Sequence, residues 1–352
     1  MPCYGDLGIV ERSLPRLLAS QIDALEVLLL NNDSRQSEAL QAFVASIGDP
    51  RARVVELPHA AGFARAMNVG IAKSAGELVF FANSDLFVTD RYVTQLERFF
   101  ATHARAGCAT GKILRYDVDT NSELDVLDTT GHVIGRDRGV CDRGENNRDR
   151  GQYERQEQVF GCSGAALVAR RAALESIRHG DEYLDESFFM YKEDVDLSWR
   201  FRLTGWECWY VPGAIAYHAR TSLAPSGGGL VGGIQVFHRN ERAKPRHVRV
   251  HSMKNQWLLL VKNEDLANLV RHLPFIVSRE AMVIGYNTVF APRVTISAVR
   301  AFARSLPGAI ASRRNMAAKR KASPAALRRW FAPRSQSTSV VRRTPRDGSD
   351  AW

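Results

Sequence analysis

The chain has no CxxC pair, no Cys/His cluster at zinc-binding spacing and an odd number of cysteines, Cys3, Cys108, Cys141, Cys162 and Cys208, in 352 residues. These absences exclude a disulfide scaffold and a structural zinc module, and point to reduced thiols in a cytoplasmic setting. No run approaches the roughly 18 apolar residues of a spanning helix, and no basic-then-apolar leader opens the chain. Membrane contact is therefore expected to be peripheral. No repeat recurs at periods of roughly 20–50 residues, which excludes solenoids and propellers. Acidic charge is scarce at one end: two of the 38 Asp/Glu lie beyond residue 300, against 12 of the 48 Lys/Arg. The net charge of +10 thus belongs to the C-terminal end, and the preceding body is neutral. With no recognisable binding fold there, nucleic acid is not expected as a partner.

What is present is a hydrophobic content of 45%, enough for a full core. The first half alternates short apolar runs with amphipathic stretches, the pattern of an α/β fold with a mostly parallel sheet flanked by helices. Residues 26–30, 53–57 and 77–82 read as strands. Residues 14–20, 34–46 (capped by Ser34) and 60–75 read as helices, the last with Phe63, Met67 and Ile71 along one face. Asn31-Asn32-Asp33-Ser34 and Asn83-Ser84-Asp85 follow two of the strands, at the end where open α/β sheets bind ligands. Residues 117–158 are polar and rich in Gly and Arg, and read as a mobile loop. Residues 206–211 read as a strand stopped by Pro212-Gly213. The expected organisation is a catalytic domain over 1–220, a linker over 221–251, a helical region over 252–330 and a basic disordered tail over 331–352. The run from Gly227 to Gly232 fits G-x-G-x-x-G by letter, but it opens no clear helix and has no acid about 20 residues on.

The segment DESFFMYKEDVDLSWRFRLTG places Val195, Trp199 and Leu203 on one helical face and crowds Glu193, Asp194 and Asp196 into the first turn. Helix physics alone favours acids there, so an ordinary acidic turn and a catalytic one are equally well served. Were the chain to move a group onto a hydroxyl, it would need one general base, and Asp194 is the candidate, with Glu193 or Asp196 orienting the acceptor. A leaving diphosphate would need a divalent cation, Mg2+ or Mn2+, for which Asp85 offers oxygen and His218 nitrogen. The small-residue run Gly161-Cys162-Ser163-Gly164 permits either close backbone approach to a ligand or close packing, and Gly164 is assigned to the acceptor side. Gly62, Arg65 and Asn68, at a helix start, suit a diphosphate.

In order and spacing, LLLNNDS, AGFARAMNVGIAKSAGELVFFANSDLFV, GCSGAALVARRAAL and YLDESFFMYKEDVDLSWRFRLTGWECWYVPGAIAYH resemble the family 2 glycosyltransferases of GT-A fold, in particular bacterial rhamnosyltransferase-like members. The resemblance runs from about Tyr4 to Arg320. It implies inverting transfer of a sugar, with rhamnose a family-level guess, from a dTDP- or UDP-linked donor to a glycan or polyprenyl-linked acceptor in cell-surface polysaccharide synthesis. By it, Asp85 matches the metal-binding acid, Asp194 the base and His218 the histidine that completes the metal site. Asn32 and Ser34 fall in the nucleotide-lining segment, with Asn83 beside Asp85 in the acidic motif. The family pattern has Asp where this chain has Asn31, and it opens with an apolar strand of which Pro2-Cys3-Tyr4-Gly5 is what remains. A start codon placed too late accounts for this; the alternative is an N-terminally truncated, inactive, glycosyltransferase-like membrane partner. A sugar nucleotidylyltransferase would need an N-terminal Gly-rich loop bearing Arg or Lys, and the chain has none.

In residues 257–311 the clusters WLLLV, LPFIVS and AMVIGY alternate with arginines, the composition of interfacial helices. With the basic stretch 313–329 they are expected to hold the protein peripherally at the inner face of the plasma membrane; packing against the body or a second copy, as a homo-oligomer, is the other use of such helices.

Overall fold

The computed structural model describes residues 1–332 apart from 23, 59 and 221–232, so the glycine-rich decoy and the tail from 333 on lie outside the described residues. The first elements are β1 (Pro2–Cys3), α1 (Leu7–Leu18), β2 (Val27–Asn31), α2 (Ser37–Ile47), β3 (Ala52–Glu56), α3 (Phe63–Lys73), β4 (Leu78–Ala82), β5 (Leu86–Val88) and α4 (Tyr92–Thr102). There follow β6 (Ala106–Asp117), β7 (Ser122–Thr129), β8 (His132–Gly135), β9 (Val140–Asp142), β10 (Glu157–Gln158), β11 (Ala166–Arg170), α5 (Arg171–Ile177), α6 (Glu193–Leu203) and β12 (Glu207–His218). The chain then turns helical, with α7 (Gly233–Ala243), α8 (Arg246–Asn263), α9 (Leu266–Phe290), α10 (Pro292–Lys319) and α11 (Pro324–Arg328), before a last strand β13 (Phe331–Ala332).

Parallel pairing is found in β1-β2-β3, whereas the larger sheet, β10-β12-β6-β11-β4 with β5 on β12 and β7 on β6, is mixed. Within it only β12 and β6 run parallel. Where the resemblance calls for a full first strand, the chain supplies the two residues of β1, with Pro2 beside Leu30. Past Met1, the walls of β2 (Val27, Leu28) and β4 (Leu78, Val79, Phe80) face each other across a largely apolar cavity of about 740 Å³.

The aliphatic and aromatic faces of α1, α2 and α4 pack on one side of the sheets, and those of α3, α5 and α6 on the other. Alternation along the strands directs neighbouring residues to these two cores. A third core joins Trp199 and Leu203 of α6 to Leu258 and Leu259 of α8, Ala309 of α10 and Phe331 of β13.

Four local readings are corrected. Residues 117–158 are not a mobile loop: they carry β7 to β10, and two of their arginines, Arg138 and Arg143, are internal counter-ions. Arg138 is 1% exposed and paired with Glu264, and Arg143 bonds Glu157 at 2.6 Å while stacking over Tyr153 and Tyr210. Strand β12 runs on through Pro212-Gly213, which produce a register shift against β6 instead of a stop. Ser34 caps no helix; Asp33 caps a 3-10 turn over Ser34–Gln36, and α2 starts at Ser37. Residues 233–251, expected as linker, belong to α7 and α8, because buried Phe237 packs edge-on against Tyr286 of α9.

Candidate active site

Helix α6 is reached through a strained turn. Phe189, Tyr191 and Lys192 take positive φ of 64°, 67° and 68°, at a cost of about 1–3 kcal/mol each. Neighbouring elements hold the turn in place. The Phe63 and Ala64 amides at the start of α3 donate to the Phe189 carbonyl at 2.8 and 3.3 Å. From α8, Asn255 Nδ2 donates to the carbonyls of Phe188, Met190 and Tyr191 at 3.1, 2.8 and 2.6 Å, and Lys254 Nζ to that of Ser187. Gly62 is required beside it: its φ is 82°, and a Cβ there would meet the Phe189 ring at 2.5 Å.

The turn delivers Glu193 and Asp194 to a cavity of about 450 Å³ that Asn83, Gly164, His218 and Arg220 also line, with α7, α8 and α9 closing the far side. Asp194 accepts from the Gly164 amide at 2.9 Å and the Val195 amide at 2.7 Å. Glu193 is 7% exposed and its Oε2 has no hydrogen-bond partner. Burial, and then the charge of Asp194, push its carboxyl well above the usual carboxylate range. Of the two adjacent acids, Glu193 is the one whose burial favours the protonated form, and Asp194 is the one that two backbone amides hold in place.

The pairing of β5 with β12 sets Leu86 opposite His218, and so brings Asp85, the residue before β5, against the imidazole. Asp85 Oδ1 lies 3.1 Å from His218 Nε2, and Asp128 Oδ2, at the end of β7, lies 2.9 Å from Nδ1. Burial by itself lowers the affinity of His218 for a proton, but the two carboxylates outweigh it and raise its pKa to about 10. An imidazole with one carboxylate behind it and one in front is the arrangement by which a metal-binding histidine is oriented. Asp85 Oδ1 and His218 Nε2 fit a divalent cation that takes the place of the proton between them, with its other ligands arriving on a phosphate-bearing substrate. Among the described residues no group of three or more His, Cys, Asp or Glu is arranged to hold an ion by itself.

Residues 1–178 match the pattern of the family described as "Glycosyl transferase family 2". The chain belongs to that family. The match ends before α6, so this family 2 protein carries its candidate base and histidine beyond the matched segment. Over 223 residues the chain is 26% identical to an N-acetylglucosaminyltransferase of Mesorhizobium japonicum, covering 61% of this chain and 49% of the relative. It therefore spans about half the length of that curated protein. Among solved structures it is similar to GalNAc-T7 with UDP, GalNAc and Mn2+, with a TM-score of 0.52 and 11% identity over 80% of this chain and 56% of the other. It is also similar to Staphylococcus aureus TarS residues 1–349, with a TM-score of 0.51 and 15% identity over 90% and 86%. These likenesses establish the GT-A type of fold.

In this family 2 chain, Asn83, Gly164, Glu193, Asp194 and His218 are brought together around one cavity, and Asp85 lies 3.1 Å from His218 Nε2. Two assignments, Asp196 and Asn68, are corrected. Asp196 is fully buried, bonded to Arg200 at 2.8 Å, Lys262 at 3.0 Å and Asn263 at 2.8 Å, and cannot reach an acceptor. Asn68 is buried and fastens the 183–186 turn through Tyr183, Leu184 and Glu186, away from any phosphate. Gly164 lines the cavity and its amide donates to Asp194; a Cβ there would stand 3.2 Å from the Cβ of Asp194. Asn32, Ser34, Gly62 and Arg65 do not line this cavity. Asn32 Oδ1 accepts from the Ala61 amide at 2.7 Å, and Arg65 lies half-exposed 3.9 Å from Glu186.

Sequence reasoning missed Asp128, His132 and Arg220. Arg220 links Asp128, Asp142 and Glu145, while His132 Nε2 stands 3.6 Å from Asp142 and 3.8 Å from Asp194. Two of the three lie in the stretch read as a loop, and no spacing marks them.

Proposed function

We propose that this family 2 glycosyltransferase moves a sugar from a nucleotide diphosphate to an acceptor hydroxyl by a single, inverting displacement. The observation that carries the proposal is that Asp194 and His218 open onto one cavity, the first accepting hydrogen bonds from two backbone amides and the second flanked by Asp85 and Asp128. Asp194 takes the proton of the acceptor hydroxyl as its oxygen attacks the anomeric carbon. The bond from that carbon to the diphosphate breaks on the opposite face, and the nucleotide leaves with the electron pair. Mg2+ or Mn2+ held by Asp85 and His218 would neutralise charge on the departing diphosphate. Glu193, neutral beside the base, is able to donate a hydrogen bond to the acceptor or donor sugar.

The donor is a dTDP- or UDP-sugar. The resemblance to rhamnosyltransferases favours dTDP-rhamnose, whereas the N-acetylglucosaminyltransferase relative and the UDP- and Mn2+-bound neighbour favour UDP-linked donors. The acceptor is a glycan or a polyprenyl-linked carrier at the inner face of the membrane. The test is turnover of a panel of UDP-, dTDP- and GDP-sugars by purified protein with Mg2+ or Mn2+. Asp194→Asn is expected to lower turnover by roughly a hundred- to ten-thousand-fold with no change in thermal unfolding. Folded protein that neither turns over nor binds any nucleotide sugar would sink the proposal and favour the non-catalytic partner.

A further inference from the structure

Among the described residues, ten of the eleven exposed large hydrophobic side chains lie on α9 and α10. They form stripes. On α9, Leu266, Val270, Leu273 and Val277 follow one another at intervals of four, three and four, the spacing of a single helical face. The opposite face, Asn268, His272 and Ile276, is buried against the body. On α10, Ile296, Val299 and Ile310 face outward while Val294, Ala298 and Ala309 pack inward. The body thus covers one side of each helix, through polar Asn268 and His272 as well as Ile276 on α9, and leaves the apolar stripes on the other side uncovered. The cluster WLLLV does not contribute: Leu258 and Leu259 are buried in the core beside Trp199, which corrects the expectation that the whole of 257–311 is interfacial.

Charge decides what covers the outer side. From Leu266 to Lys319 there are eight Arg or Lys and a single acid, Glu280, and that acid is bonded to Trp257 and Arg279. Arg271, Arg293, Arg300 and Arg304 are exposed beside the stripes. No helix among the described residues is long and apolar enough to cross a membrane. An apolar face fringed by unopposed arginines on helices that do not span is complementary to a negatively charged lipid surface. We propose that α9 and α10 lie along an anionic phospholipid leaflet, with their outer stripes at the headgroup boundary. The docking face gives substance to the membrane-side acceptor of the proposed function, yet it is read by lipid binding alone and stands or falls apart from sugar transfer.

The experiment is cosedimentation of the full chain with vesicles of phosphatidylcholine plus phosphatidylglycerol, and with phosphatidylcholine alone. Three variants are compared, each checked for unchanged thermal unfolding. Arg271→Glu with Arg300→Glu should weaken binding to the anionic vesicles by roughly thirtyfold or more, from about fivefold per basic residue near the surface. Val277→Asp with Val299→Asp should abolish it through the apolar stripe. Replacing Arg334, Arg342, Arg343 and Arg346 by Gln should leave most of the binding intact. The proposal is overturned if the wild type stays in solution with anionic vesicles, or if the Gln variant loses binding while the helix variants keep it. It is overturned equally by a dimer in solution that the Val variants dissociate without any lipid binding, which would assign the face to a second copy.

Discussion

Glu193 and Asp194 are chemically alike and adjacent, but the fold gives them different surroundings. Asp194 rests on two amides, whereas Glu193 is buried with an unpartnered oxygen beside a negative charge. Glu193→Gln, which replaces a protonated carboxyl by a neutral isostere, is expected to keep activity within a few-fold and stability unchanged; a loss as deep as that of Asp194→Asn in the same kinetic assay would refute this protonation. His132, 3.8 Å from Asp194, is a positioning residue. His132→Gln should lower kcat several-fold with KM little altered, a split that a structural role would not produce. Asp85, Asp194 and His218 were legible as candidates in the sequence because each belongs to a recognisable segment. Asp196 was misread because two positions on a helix differ by about 200°, so residues 194 and 196 face opposite ways. Asp128 and Arg220 could not be read, since only the register of β7 and β12 brings them together.

At the scale of elements, the strained turn before α6 depends on α8. Asn255→Ala removes three hydrogen bonds to backbone carbonyls of residues 188–191, and should cost about 1–3 kcal/mol. Because the turn aims Asp194, kcat should fall further than the drop in folded fraction explains, as thermal melts and kinetics on one preparation would reveal. Lys262 of α8 bridges Asp185 and Asp196 from full burial. Lys262→Met leaves buried Asp185 without its cation and Asp196 with Arg200 alone, with an expected loss of about 3–5 kcal/mol in urea unfolding. The early β-α alternation was legible from apolar runs of strand length. The 117–158 segment was not, since its arginines look solvated until their buried partners, such as Glu264 more than a hundred residues away, are known.

For the whole molecule, stability should have an acid-side limb set by these buried bridges. Burial raises the pKa of Asp185, but the charge and hydrogen bond of Lys262 outweigh it and hold the carboxyl well below the usual range. A depressed native pKa contributes stability that is fully present above the unfolded value near 3.9. That contribution is lost as pH falls below this value towards the native one. Asp185→Asn should therefore flatten the loss of unfolding free energy on acidification, measured by urea titrations across that window; an unchanged slope would assign the limb to other carboxylates. Helix α9 has a double allegiance. Arg279, Met282 and Val283 line the catalytic cavity, while Val277 and its stripe face outward. A helix is roughly 10 Å across, so with that stripe on a lipid surface the cavity wall that α9 forms sits about a helix width from the headgroups. Encounter with a lipid-carried acceptor then becomes a two-dimensional search, and the rate follows the mole fraction of acceptor in the leaflet instead of its bulk concentration.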